Sequence, residues 1–233
     1  MSGAEAPPPS TAPTSLAAPT RLAGPAASNT RYELAIFDCD GVLVDSERIA
    51  NQVFAARLRE LGLQLTLDDM FERFVGHTMP ECLRIVAGLL GREPPAGFLE
   101  DLQRRTFAAF ERELRPVEGV VEALEAIQSR LATAVASSGD HDKLRHTLGL
   151  TGLWPRFEGR IFSTVDVPHA KPQPDVYLHA ARTLGFEPSR CVVIEDTPIG
   201  VAAGVAAGMR VLGYARYTPA AQLLAAGALE VFD

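Results

Sequence analysis

The chain has 233 residues, enough for one full core domain and a smaller second one. Its hydrophobic fraction of 47% and charged fraction of 22% are typical of a globular protein, and no apolar run approaches the roughly 20 residues that span a bilayer. The net charge of −7 argues against a broad nucleic-acid-binding surface, and it means that an anionic ligand would need a cation or a local positive site.

The first 30 residues differ in composition from the rest of the chain. They contain six of the seventeen prolines, eight alanines and only two charged residues. Such a segment cannot bury enough apolar surface to offset its ordering entropy, so we expect a disordered tail at 1–30. The three cysteines are far apart and form no CxxC pair, which favours buried apolar side chains in a protein of the reducing cytoplasm.

From residue 31 onward, apolar runs alternate with helical patterns. Runs typical of buried parallel strands occur at 34–37, 131–136, 160–162, 191–194 and 210–212. Helical patterns that separate the later runs occur at 120–129, 142–148, 175–184 and 199–207. This alternation predicts an α/β fold with a Rossmann-like parallel sheet covered by helices on both faces.

The stretch between the first two predicted strands is helical throughout. Its apolar residues follow helical spacing up to a stop at Gly62, and further helices are predicted at 69–75, 80–90 and 98–114. An all-helical insertion at this place would lie over the end of the first strand as a lid. We therefore expect a core formed by 31–47 and 116–233, with a helical cap at 48–115.

Two acids, Asp38 and Asp40, directly follow the first predicted strand. Ligands of open parallel sheets bind at the carboxyl ends of the strands, and the i, i+2 spacing places both side chains on one side of an extended segment. Neighbouring carboxylates repel each other unless a metal or a proton intervenes. The alternative, that these acids cap the next helix, fits Asp45 and Ser46 better.

A second acidic pair, Glu195 and Asp196, occupies the corresponding place after a later strand. Hard oxygen ligands that converge from two strand ends are what Mg²⁺ requires. The alternative is that Asp196 and Thr197 only begin the next helix, which has Pro198 in its first turn. That helix carries Gly200, Gly204 and Gly208 at intervals of four residues, which predicts close packing of one helix face on the sheet.

Only two of the 22 basic residues, Lys143 and Lys171, are lysines. Lys171 lies in the segment HAKPQPD between a strand and a helix, which favours a site that needs a compact point charge, although a surface lysine is the alternative. In VASSGD, which ends the second predicted strand, Ser137 and Ser138 offer donors suited to phosphate oxygens. For Ser138 we favour a turn or a helix N-cap.

Taken in order, four segments resemble the motifs of haloacid dehalogenase superfamily hydrolases, in the subfamily with a helical cap inserted after the first strand. The segments are DCDGVLVDSE, VASSGD, KPQPD and EDTPIG, and the resemblance extends over residues 33–213. The form FDCDG followed by FERFVGHTM is most similar to sugar-phosphate phosphatases and beta-phosphoglucomutase-like members.

The resemblance implies a role for each matching residue. Asp38 corresponds to the nucleophile that forms an aspartyl-phosphate, and Asp40 to the general acid and base. Ser137 and Lys171 correspond to the groups that hold the transferring phosphoryl group. Because dehalogenases generally lack an acid two residues after the nucleophile, Asp40 indicates a phosphate ester as the substrate.

The resemblance also implies a Mg²⁺ cofactor. The metal site would lie at Asp38 and be formed by Asp196, Glu195 and the backbone carbonyl of Asp40. A magnesium ion there would allow several carboxylates to gather where an anionic phosphate must also bind.

The predicted function is Mg²⁺-dependent hydrolysis of a small phosphorylated metabolite, a sugar or polyol phosphate, with no nucleic-acid or membrane partner. His77 and Thr78 are candidate substrate contacts, with a structural turn at Gly76 as the alternative. A second hypothesis is a beta-phosphoglucomutase-type phosphotransferase, and a third is a non-catalytic module that binds a phosphorylated metabolite. Against the mutase, Met79 and Ala50 stand where such enzymes usually have arginine and histidine, and the candidate replacements are Arg73 and Arg84.

Overall fold

The computed structural model describes residues 32–74 and 79–233, so the predicted tail and the candidate contacts His77 and Thr78 lie outside the described residues. Six parallel strands form one sheet in the order β3-β2-β1-β4-β5-β6. The strands are β1 (Leu34–Phe37), β2 (Ala132–Ser137), β3 (Ile161–Ser163), β4 (Cys191–Glu195), β5 (Arg210–Tyr214) and β6 (Glu230–Phe232).

Helices cover the sheet and fill the long connection between its first two strands. That connection contains α1 (Ser46–Glu60), α2 (Leu67–Phe74), α3 (Met79–Leu90) and α4 (Phe98–Glu113). The remaining helices are α5 (Val120–Gln128), α6 (His141–Leu150), α7 (Trp154–Phe157), α8 (Asp175–Leu184), α9 (Pro198–Ala206) and α10 (Ala220–Ala225). The predicted Rossmann-like α/β fold is confirmed, and the structure adds α7, α10 and β6, which the sequence did not indicate.

Strand β1 is the centre of the molecule and is buried on both faces. Its residues alternate between two apolar clusters, with Ala35 and Phe37 in one and Leu34 and Ile36 in the other. It pairs with both β2 and β4, and the backbone N–H of Asp38 donates to the carbonyl of Ile194 at 3.0 Å. The carboxyl ends of β1 and β4 are therefore level with each other.

The first four of the five helices between β1 and β2, α1 to α4, have an apolar core of their own, and we call them the helical insertion. It includes Phe54 and Leu58 of α1, Met70 of α2 and Leu102 of α4. The insertion begins at Ser46, two residues before the predicted cap boundary. Treatment of 48–115 as a separate domain stays a prediction.

Aromatic side chains of the insertion contact the part of the chain that forms and follows the sheet. Phe71 of α2 stacks on Tyr217, which follows β5, with ring centroids 5.0 Å apart and an interplanar angle of 14°. Phe107 of α4 meets His146 of α6 edge to face, with centroids also 5.0 Å apart. These contacts hold α2 against the loop after β5 and α4 against α6.

The glycines of α9 pack as predicted at two of three positions. A Cβ atom on Gly200 would lie 1.7 Å from Glu195 Oε1, and one on Gly204 would lie 2.7 Å from Val211 Cγ2. The prediction is wrong for Gly208, which has open space around it and a φ of +74° beyond the end of the helix. Gly208 allows the chain to leave α9 in a left-handed conformation.

All three cysteines are buried, as predicted. Within residues 32–74 and 79–233, no helix combines the length and the apolar character needed to cross a bilayer.

Candidate active site

The two acidic pairs meet at the carboxyl edge of the sheet. Asp38 and Asp40 lie in the turn that follows β1, Glu195 is the last residue of β4, and Asp196 follows it. Asp38, Glu195 and Asp196 are buried, with 8% or less of each exposed to solvent. Three carboxylates in so little solvent require cations or protons to balance their charge.

Lys171 provides one of these cations. Its side chain is 4% exposed, and Nζ donates to Asp38 Oδ1 at 2.6 Å, to Glu195 Oε1 at 2.7 Å and to the carbonyl of Ala136 at 3.1 Å. Burial alone would lower the pKa of Lys171, but the two carboxylates raise it well above its usual range. The lysine is therefore a permanent cation that joins the ends of β1 and β4.

Glu195 is fully engaged by hydrogen-bond donors. Oε1 accepts from Lys171 and from the Tyr177 hydroxyl at 2.9 Å, while Oε2 accepts from the backbone N–H groups of Asp196 and Thr197 and from Thr197 Oγ1. In this conformation Glu195 anchors Lys171 and the start of α9. Its predicted place among metal ligands stays a prediction, and it would require Glu195 to give up some of these donors.

Asp40 has partners of its own. Lys143 Nζ donates to Asp40 Oδ2 at 2.7 Å, and Ser46 Oγ donates to Oδ1 at 2.6 Å. Burial acts to raise the pKa of Asp40, but Lys143 and Ser46 outweigh it and lower the pKa below its usual range. Asp40 is thus an ionised carboxylate here, and its hydrogen-bond partners differ from those of Asp38.

The capping roles expected of Asp45 and Ser46 are wrong. Asp45 stands at the N-cap position of α1 but makes no capping hydrogen bond, and its carboxylate instead accepts from Arg216 and Tyr217. Ser46 turns toward Asp40. Asp45 therefore connects the start of α1 to the loop after β5, and Ser46 holds the acidic turn after β1. Neither side chain serves to cap α1.

Asp196 shows where a cation fits. Its Oδ1 is buried without a hydrogen-bond partner, and a Cβ atom on Gly41 would lie 2.0 Å from its Oδ2, so the carboxylate presses against the turn that carries Asp40. Burial raises the pKa of Asp38 to about 7 although Lys171 opposes the shift, and burial together with Glu195 raises the pKa of Asp196 well above its usual range. Buried oxygens that lack a positive partner suit a hard cation such as Mg²⁺.

The protein oxygens do not enclose a metal by themselves. Within the part of the chain that the structure describes, no three histidine, cysteine or acidic side chains are grouped as a metal site. Mg²⁺ usually binds through one or two carboxylates and completes its shell with water and substrate oxygens, so Asp38, Asp196 and the carbonyl of Asp40 are a sufficient donor set.

Ser137 ends β2 beside this site. It is 1% exposed, and its Oγ accepts a hydrogen bond from the backbone N–H of Gly139 at 3.2 Å. Of the two roles favoured for Ser138, a turn or a helix N-cap, the N-cap is wrong, because Asp140 caps α6 by accepting from the backbone N–H of Lys143. Ser138 lies in the bend that follows β2. The predicted phosphate contact of Ser137 stays a prediction.

Sequence reasoning missed Lys143, Tyr177 and Glu47 as site residues. Lys143 had a signal, since it is one of only two lysines and both converge on the acids. Tyr177 reaches Glu195 from α8, and Glu47 reaches the surroundings of Asp40 from α1. Tyr177 has no sequence signal beyond helical spacing, whereas Glu47 is the last residue of the motif DCDGVLVDSE.

A cavity of about 320 Å³ adjoins the helical insertion, and of the four acids Asp40 lines it. Asp40, Asp140 and Lys143 form its end at the sheet, and side chains of α1, α3 and α4 form the rest. A larger cavity of about 870 Å³ is lined mainly by apolar side chains of the sheet and α5, and it contains none of the four acids. The smaller cavity is therefore the candidate substrate site.

These features define an α/β protein with a carboxylate-lined, lysine-bridged site at the carboxyl edge of its sheet, beneath a helical insertion. The sequence pattern of one family, described as haloacid dehalogenase-like hydrolase, matches residues 32–208. The chain belongs to this family of hydrolases.

Individual relatives agree with the assignment. A 6-phosphogluconate phosphatase of Escherichia coli (strain K12) is 32% identical, covering 78% of this chain and 82% of that protein. Hexitol phosphatase B of the same organism is 31% identical, covering 76% and 80%. A crystal structure of a HAD family hydrolase from Deinococcus radiodurans R1, with bound phosphate and sodium, superposes with a TM-score of 0.76 at 35% identity, covering 88% of this chain and 92% of that one.

Proposed function

We propose that this protein is a Mg²⁺-dependent phosphatase that hydrolyses a small sugar or polyol phosphate through a phosphorylated Asp38. The observation that carries the proposal is that two neighbouring acids, Asp38 and Asp40, have different hydrogen-bond partners. Lys171 donates to the buried Asp38, whereas Lys143 and Ser46 donate to Asp40, which is partly exposed. The phosphatases among the relatives support the same class of reaction.

The proposed chemistry uses the two acids in turn. A carboxylate oxygen of Asp38 attacks phosphorus, and the ester oxygen leaves with a proton from Asp40. Water then attacks the phosphorus of the acyl phosphate, Asp40 takes the proton of that water, and Asp38 and inorganic phosphate are released. Bound beside Asp38 and Asp196, Mg²⁺ would offset the negative charge of the phosphate.

The ionised form of Asp40 seen in the structure suits the second step, the hydrolysis of phosphorylated Asp38. Because Lys143 and Ser46 lower its pKa, Asp40 is a base in the structure. To act as the acid in the first step, Asp40 must carry a proton, and this requires it to lose part of its contact with Lys143. The two lysines have separate tasks, since Lys171 lies against Asp38 and Lys143 against Asp40.

The lining of the cavity favours hydrolysis over the mutase alternative. Ala50 and Met79 both line it, and neither can bind the distal phosphate of a bisphosphate intermediate. Arg73 and Arg84 are not among the described residues that line it, and the side chain of Arg84 is 76% exposed. With beta-glucose 1-phosphate and a trace of the bisphosphate, free phosphate should form faster than the sugar 6-phosphate.

The proposal is tested by Asp38→Asn in an assay with p-nitrophenyl phosphate and a panel of sugar and polyol phosphates. Turnover should fall by at least ~10³-fold, because an amide cannot form an acyl phosphate. Asp142→Asn, the same change at an exposed position of α6, serves as the control. EDTA should remove the wild-type activity and Mg²⁺ should restore it.

Retained turnover in Asp38→Asn would exclude Asp38 as the nucleophile. Metal-independent turnover would exclude the Mg²⁺ role. If the wild-type protein binds these esters but turns none of them over, the non-catalytic module is the correct alternative.

A further inference from the structure

More acidic than cationic side chains line the candidate substrate cavity. Among the described residues that line it, three are acidic and one, Lys143, is cationic. Lys143 is already paired with Asp40 at 2.7 Å. An ester whose far end carries a second phosphate or a carboxylate would therefore find no free positive partner among these residues.

The remaining lining combines hydrogen-bonding and apolar groups. Glu47 and Asn51 of α1 and Gln103 and Thr106 of α4 supply polar atoms, while aromatic side chains such as Phe54 supply apolar surface. Carbohydrates present hydroxyl groups and C–H groups side by side, so a wall of this mixed kind matches them. The volume of about 320 Å³ is at the lower end for small-molecule sites, which favours a monosaccharide or a short polyol.

Among the residues that line the cavity, Glu47 is the candidate to accept hydrogen bonds from the hydroxyl groups of a substrate. It lies in the first turn of α1, next to Ser46, which donates to Asp40. Asn51, one helical turn later and buried, donates through Nδ2 to the backbone carbonyl of Glu47 at 2.9 Å and to its Oε2 at 3.3 Å. The carboxyl group is thus oriented by its own helix and keeps acceptor capacity for a ligand.

We propose that Glu47, positioned by Asn51, selects neutral polyhydroxylated phosphate monoesters by accepting hydrogen bonds from their hydroxyl groups and by disfavouring esters with a second anionic group. This inference rests on the proposed phosphatase function and adds the substrate class. It separates this protein from the 6-phosphogluconate phosphatase among its relatives, whose named substrate carries a carboxylate.

The test compares two esters that have the same carbon skeleton. Sorbitol 6-phosphate ends in a hydroxymethyl group where 6-phosphogluconate ends in a carboxylate. With Mg²⁺ present, wild-type kcat/KM should be at least ~10-fold higher for sorbitol 6-phosphate, because a like charge in a partly buried site is strongly disfavoured. Glu47→Gln removes the charge and keeps a carbonyl acceptor, so this ratio should fall several-fold.

Glu111→Gln is the matched control, since it makes the same change on exposed surface of α4, outside the described lining, and should leave the ratio at the wild-type value. A wild-type ratio of one or less would overturn the inference without any variant. A ratio unchanged in Glu47→Gln would overturn the role of Glu47. If p-nitrophenyl phosphate is not hydrolysed either, the proposed function fails and this inference fails with it.

Discussion

Lys171 uses all three of its ammonium hydrogens within the site. They point to Asp38, to Glu195 and to the backbone carbonyl of Ala136. Three donors in a tetrahedral arrangement belong to an ammonium group, whereas a planar guanidinium directs its hydrogens into a fork. The geometry explains why a chain that otherwise uses arginine almost throughout has a lysine at this position.

Tyr177 supports this lysine from α8. Its hydroxyl donates to Glu195 Oε1 at 2.9 Å, and its ring lies 4.8 Å from Lys171 Nζ. Tyr177→Phe keeps the ring and removes the donor, so the free energy of unfolding should fall by ~1.5–3 kcal/mol, the usual range for a hydrogen bond to a charged group. Urea denaturation measures this change, and Tyr32→Phe, two residues before β1, is the control. Equal stabilities for wild type and Tyr177→Phe would contradict the supporting role.

The residues of the site were predictable to different degrees. Asp38, Asp40, Glu195 and Asp196 stand next to strand ends in the sequence, so the expectation that they gather needed only the rule for parallel sheets. The pairing of Lys143 with Asp40 depends on where α6 lies in space, across 103 positions of sequence. Local patterns contain no information on such a distance.

Among the elements, α9 shows how a helix without side chains on one face serves the site. Gly200 brings the first turn of α9 against the carboxylate of Glu195, and Thr197 caps the helix while also donating to Glu195. The start of α9 and the end of β4 are thus held together through the side chain of Glu195. Larger residues on this face would push the helix away from the strand that carries Glu195.

Gly200→Ala should therefore destabilise the protein although alanine favours helices. The new Cβ would meet Glu195 Oε1 at 1.7 Å, and we expect a loss of ~1–3 kcal/mol in the free energy of unfolding together with lower activity. Gly88→Ala is the matched control, because Gly88 lies in α3 and an added Cβ there would have nothing within 4 Å. That variant should gain ~0.5–1 kcal/mol. If both variants were stabilised, the close packing of α9 would be refuted.

The elements missed from the sequence are all short. Strand β6 has three residues, and α7 and α10 have four and six, so none is long enough for its apolar pattern to repeat. Each exists because a longer neighbour offers backbone or apolar surface, as β5 does for β6. The longer elements were predicted to within a few residues since their own apolar pattern determines which face is buried.

At the scale of the whole molecule, the strand order concentrates charge at one edge. Strand β1 lies between β2 and β4, where the order of connections changes direction, and this is the place where open sheets bind ligands. Asp38, Asp40, Glu195 and Asp196 meet there, while Lys171 and Lys143 are the lysines that face them. The acids outnumber these cations, so the fold holds an excess of negative charge that a divalent cation would relieve.

Mg²⁺ should therefore stabilise the folded protein as well as support turnover. A ligand at 100 times its Kd contributes about 2.7 kcal/mol, which for a chain of this length corresponds to a rise in Tm of ~5–10 °C. The rise should be larger at pH 8 than at pH 6, because burial raises the pKa of Asp38 to about 7 and protons compete with the metal below that value. Thermal unfolding with Mg²⁺ or EDTA measures the effect. Asp196→Asn should reduce the rise and the exposed Asp142→Asn should keep it, whereas an undiminished rise in Asp196→Asn would place the metal elsewhere.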